Sequence, residues 1–79
     1  MNGFVLAKSY QAVDLTIFIA QQSPRAPITF VHSLDRAKRF STVDEAIEFR
    51  NGLPDDFGAK RNYTVHEVSE DGTAKDLGR

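Results

Sequence analysis

Cysteine is absent from the 79 residues, so disulfides and thiolate metal sites are excluded and the fold must hold by packing. A long apolar run is missing as well. The most apolar stretch, Ala12 to Ala20, is interrupted by Asp14 and falls far short of the roughly 20 residues a membrane helix needs. No charged N-terminal region leads into an apolar segment, so no signal peptide and no membrane partner are expected, and the cytosol is the expected compartment. Without secretion, the sequon Asn62-Tyr63-Thr64 reads as chance. An excess of either charge is also lacking. Ten Lys plus Arg face eleven Asp plus Glu, which argues against a general polyanion binder, whose affinity comes from surplus positive charge. It argues equally against a DNA mimic, which needs dense negative charge.

Motifs for catalysis are missing too. The five glycines, Gly3, Gly52, Gly58, Gly72 and Gly78, never cluster into a phosphate-cradling loop, so both common nucleotide fingerprints are absent. No G-x-S-x-G places a serine on a strained elbow. The only two imidazoles, His32 and His66, fall on separate predicted strands and can face each other, with Glu67 or Asp35 as further ligands. A zinc site needs three or four convergent ligands at recognisable spacing, which this pair does not offer, so both read as ordinary strand or surface histidines. Asp55-Asp56 follows a proline and reads as a solvated turn. No catalytic residue, metal or cofactor is expected, and the chain reads as non-enzymatic.

What is present is enough apolar material for one core: 41% hydrophobic residues, with six Phe and two Tyr. Residues 1–79 therefore form one expected domain, burying about 60–65% of its extended surface. Gly3 to Tyr10 alternates as a strand, with Phe4, Leu6 and Tyr10 on one face and Val5, Ala7 and Ser9 on the other. Val13 to Ala20 alternates more strongly, Val13, Leu15, Ile17 and Ile19 opposing Asp14, Thr16, Phe18 and Ala20. The short link between them implies an antiparallel hairpin. Gln21 to Pro27 reads as a loop, Ile28 to Leu34 as a third strand, and Ala37 to Phe40 as an extended lead into a helix.

That helix has clear limits. Thr42-Val43-Asp44-Glu45 fits a capping box, with Asp44 and Glu45 where the helix dipole favours negative charge. Asn51-Gly52 offers a left-handed C-terminal residue, Leu53 the apolar contact beyond it, and Pro54 a stop. Val43, Ala46, Ile47, Phe49 and Leu53 share one side, as in a helix lying on a sheet. Pro54 to Asn62 is a polar loop. A last strand runs from Tyr63 to about Ser69, Glu70-Asp71-Gly72 makes a turn, and 73–79 either pairs briefly or frays. The expected fold class is α+β: a three- to four-stranded antiparallel sheet with one helix packed on one face, in the order β-β-β-α-β, and with the other face partly exposed.

Candidate binding residues come from the charge pattern. Arg36, Lys38 and Arg39 fall within four positions, and Lys60-Arg61 precede the last strand beside Tyr63. Joined, they form a basic surface with an aromatic neighbour, which suits single-stranded or structured nucleic acid. The bland alternative is edge-strand charges that discourage aggregation or pair with Asp35, Asp55 and Asp56. Arg50 falls inside the helix's apolar arc, where it either snorkels toward the last carbonyls or anchors a partner. Thr16 to Ala20 is apolar on both faces, reading as a buried central strand or, at an edge, as a homodimer contact.

The stretch Ala37-Lys38-Arg39-Phe40-Ser41-Thr42-Val43-Asp44-Glu45-Ala46-Ile47 resembles a cassette found in small phage and mobile-element accessory proteins. There A-K-x-F precedes a Ser/Thr cap and an E-A helix start, followed by a strand like Tyr63-Thr64-Val65. Anti-CRISPR inhibitors are among such proteins. The resemblance covers about the second half of the chain and implies a binding role on a host protein or nucleoprotein defence complex. It transfers no catalytic residue. The leading expectation is thus a non-enzymatic accessory protein that binds a host macromolecule through Arg36, Lys38, Arg39, Arg50, Lys60, Arg61 and Tyr63. Direct nucleic-acid binding and a structural homo-oligomer are the alternatives.

Overall fold

In the computed structural model, which describes residues 3–23, 25–27, 29–53 and 63–79, the first strand, β1 (Gly3–Tyr10), is the centre of a five-stranded antiparallel sheet. It is followed by β2 (Leu15–Ile19), β3 (Phe30–Val31), the helix α1 (Val43–Asn51), β4 (Thr64–Val68) and β5 (Ala74–Asp76). The strands lie in the order β3-β2-β1-β4-β5. The expected α+β class and the helix on an antiparallel sheet are both present, and the segment after Gly72 supplies the fifth strand.

Central placement explains why Val5, Leu6 and Ala7 are all fully buried, although successive residues point to opposite faces. Leu6, opposite Val65 on β4, joins Ile17, Ile19, Phe40, Ala46 and Phe49 under the helix. Phe40 and Phe49 meet edge to face, with ring centroids 5.1 Å apart. Val5, Ala7, Phe18 and Val68 point the other way and form a second, smaller cluster with Ala37. The face away from the helix is thus partly closed by the chain itself, with Leu34 and Val31 packed against this cluster.

Two boundaries depart from the sequence pattern. Gln11–Val13 forms a 3-10 turn instead of starting β2, leaving Val13 69% exposed. Asp14 then reverses the chain at φ 51°, in the left-handed region that Asp tolerates better than most residues. The third strand shrinks to Phe30–Val31, because Leu34–Arg36 coils into a second 3-10 turn that carries Leu34 and Ala37 onto the second cluster. Ile28, the expected start of that strand, lies outside the described residues, as does the loop 54–62.

The helix begins as its capping residues dictate. Thr42 Oγ1 accepts from the Glu45 amide at 3.1 Å, and Glu45 Oε2 accepts from the Ser41 amide at 3.1 Å. Its end differs from the expectation. Gly52 is right-handed, at φ −84° and ψ −7°, so no left-handed cap forms. The last turn tightens instead: the Gly52 amide reaches both Glu48 and Phe49 carbonyls, and the Leu53 amide reaches Arg50. Leu53 is buried in the helix-side core.

Candidate functional site

Between the second 3-10 turn and the helix, the chain passes from one face of the sheet to the other. Ala37 is buried on the face away from the helix, whereas Phe40 is buried beneath it. The crossing is held by backbone. The Lys38 amide donates to the Ile19 carbonyl at 2.9 Å, and Phe4 and Phe40 exchange amide–carbonyl bonds at 2.9 and 2.8 Å. Gly3 permits this approach, since a Cβ there would sit 3.3 Å from the Phe40 carbonyl oxygen.

The strap carries three of the seven predicted binding residues. Arg36 and Arg39 are exposed and Lys38 is half-buried. Lys38 Nζ lies over the Phe40 ring at 5.4 Å and the Phe49 ring at 5.8 Å, so part of its charge is directed inward. Among the described residues no carboxylate lies within salt-bridge distance of any of the three; the contact of that kind, between His66 and Asp76, lies elsewhere on the sheet. Asp35 therefore does not pair with its neighbours. Asp55 and Asp56, the other expected partners, lie outside the described residues.

Of the remaining four, Tyr63 and Arg50 do not join this surface. Lys60 and Arg61 lie outside the described residues. Tyr63 is 5% exposed and packed in the helix-side core, so its ring has no open face for a stacking base. Burial pushes its hydroxyl pKa up, with Tyr10 adding to the effect. Arg50 turns inward: its Nη1 donates to the Tyr63 carbonyl at 2.9 Å and also to the Arg79 carbonyl. The head bonds to these two carbonyls rather than to the last carbonyls of the helix, so one guanidinium ties the last helical turn to the entry of β4 and to the tail after β5.

A second site went unrecognised in the sequence. On the sheet face away from the helix lies an open cleft of about 630 Å³, lined by Ser9, Thr16, Phe18, His32, His66 and Asp76 among others. Both histidines line it, His66 from β4 and His32 from the bend just after β3. Thr64 Oγ1 and His66 Nε2 are 3.0 Å apart, and Asp76 Oδ1 stands 3.9 Å from the same nitrogen. Burial holds the His66 pKa below its usual value, opposed in part by the Asp76 charge. The Asp76 carboxyl is held low chiefly by the Gly78 amide, which donates to Oδ1 at 2.8 Å. A Thr-His-Asp relay would need the hydroxyl on one ring nitrogen and the carboxylate on the other. Here both address Nε2, and that geometry does not activate the threonine. No three His, Asp or Glu side chains converge as metal ligands among the described residues.

No family model matches this chain, and no curated protein or solved structure is significantly similar to it.

Proposed function

We propose that this protein is a non-enzymatic binding module that occupies an acidic surface of a host protein or nucleoprotein complex, with Arg36 and Arg39 as its leading contacts. The observation that carries this reading is the strap: backbone bonds at Lys38 and Phe40 hold the intervening chain, while the guanidinium groups stay exposed. A pre-held backbone lowers the ordering cost of association, and exposed cations steer encounter with a negative partner. The resemblance of Ala37 to Ile47 to phage and mobile-element cassettes points to the same kind of role, an anti-defence inhibitor of the anti-CRISPR type included.

Direct nucleic-acid binding draws less support, because Tyr63 is enclosed and the net charge is −1. The homo-oligomer contact through Thr16 to Ala20 draws none: β2 lies between β3 and β1, with Ile17, Phe18 and Ile19 buried within the chain.

The test is capture of host partners by the wild-type chain and by the double variant Arg36→Glu/Arg39→Glu, with and without nuclease. The reading requires a partner that survives nuclease and whose affinity falls about tenfold or more in the variant, at unchanged melting temperature. Equal capture by both chains at equal stability would remove the strap from consideration. Loss of all capture on nuclease treatment would favour nucleic acid.

A further inference from the structure

The cleft on the face away from the helix has a chemistry opposite to that of the strap. Asp14 and Asp76 supply carboxylates to its lining, and among the described residues no lysine or arginine lines it. Its apolar portion comes from Leu15, Phe18, Leu34 and Ala74. Hydroxyls of Ser9 and Thr16 face each other at 3.2 Å across β1 and β2. Carboxylates beside an apolar wall match a side chain with an aliphatic stem and a cationic head.

His66 adds direction. It is 7% exposed, yet it lines the cleft. The carboxylate of Asp76 near Nε2 favours the tautomer with its proton on that nitrogen, donated to Thr64. Nδ1 is then a lone-pair acceptor, and it takes no hydrogen bond from a described residue. Asp76 is pre-set as an acceptor as well, because the Gly78 amide fixes one carboxylate oxygen. A buried neutral imidazole, an oriented carboxylate and two hydroxyls form an acceptor-rich lining for a multi-donor cation.

We infer that this cleft binds a lysine or arginine side chain carried by a partner polypeptide. The openness of the site selects the carrier. A free ammonium ion or polyamine on an open surface keeps much of its hydration and gains few contacts, whereas a chain-borne side chain brings flanking backbone to the exposed rim of β5, the last strand of the sheet. The cleft meets the strap at the second 3-10 turn, through Leu34, and its cation binding stands whether or not Arg36 and Arg39 contact a partner.

The experiment is an NMR titration of the intact chain with an acetylated, amidated pentapeptide, Gly-Gly-Arg-Gly-Gly. Parallel titrations use the same peptide with citrulline or glutamate at the centre, and spermidine. The arginine peptide should shift resonances of Thr16, Thr64, His66 and Asp76 in a saturable way, and the citrulline and glutamate peptides should not. Asp76→Asn keeps the acceptor for the Gly78 amide but removes the charge, and should weaken the arginine peptide about fivefold. Asp14→Asn is the second variant should Asp76→Asn disturb folding, with the same direction of effect. Absence of shifts at those four residues, or equal affinity for the arginine and citrulline peptides, overturns the proposal. Equal binding in both variants does so too, and spermidine binding as tightly as the peptide overturns the assignment to a polypeptide.

Discussion

Leu6→Ala is the most telling test of the architecture that holds both surfaces. Leu6 is fully enclosed at the sheet centre, opposite Val65 and beneath Ala46, Phe40 and Phe49. Truncation removes three carbons from a site walled by strands on both sides and by the helix above, so collapse around the cavity is limited. The expected cost is about 3 kcal/mol or more, at the low-to-middle part of the range for buried leucines. A 79-residue domain has about 4–12 kcal/mol in total, so the variant sits near the edge of folding. With an unfolding entropy of about 0.17 kcal/mol/K for this length, Tm falls by about 18 °C. In urea the midpoint should move down by about 2 M with an unchanged slope. Tyr10→Ala is the matched control on the same strand and face; Tyr10 is 40% exposed and loses mainly its contact with Lys8, whose Nζ is 4.6 Å from the ring, for about 1 kcal/mol or less. A Leu6→Ala cost below 1 kcal/mol, or one no greater than that of Tyr10→Ala, would refute the placement of the core between β1 and α1.

Two further outcomes follow from smaller features. Thr42→Ala removes the side chain that caps Glu45 and should cost about 1 kcal/mol, or about 6 °C in Tm, while Thr42→Ser stays near wild type; equal Tm for all three chains would dismiss the cap. Burial lowers the folded-state pKa of His66, so between the ordinary histidine value near 6.5 and that lower value the unfolded chain binds more protons than the folded one. Stability should therefore fall as pH drops through that window and level off below it, and His66→Gln should flatten this limb in urea melts taken from pH 7.5 to 5. A limb that persists unchanged in the variant assigns it to other groups.

The helix was legible because its signals are local: a capping box within four residues and an apolar stripe at helical spacing need no knowledge of the rest of the chain. The central strands were legible from alternation. Two features were not. Val13 continues the apolar alternation of β2, yet the hairpin link needs a reversal, and the 3-10 turn with Asp14 at positive φ takes Val13 out of the strand. Leu34 fits a strand pattern equally well, but its burial against the far face requires a coil.

The same limit applies to the candidate sites. Clustering of Arg36, Lys38 and Arg39 could be read directly, because they are neighbours in sequence. That Tyr63 is enclosed and Arg50 spent on two carbonyls could not, since both outcomes depend on where β4 and the tail settle. The cleft was hidden for a related reason. Its lining comes from four strands and the turns between elements, and cross-strand register decides which residues share a face; pairing of His66 with both Val5 and Asp76 puts those side chains together. The nearest signal was the pair of histidines on separate strands.

The mutual bonds between Phe4 and Phe40 join positions near opposite ends of the first half of the chain. The arginines of the crossing segment therefore acquire a defined position only in molecules whose opening strand has already docked, and an N-terminal deletion through Phe4 would release them without touching either guanidinium. Presentation of that charge is in this sense a report on completed folding: a nascent or partly unravelled copy carries the same cations but does not display them in the arrangement a partner would meet.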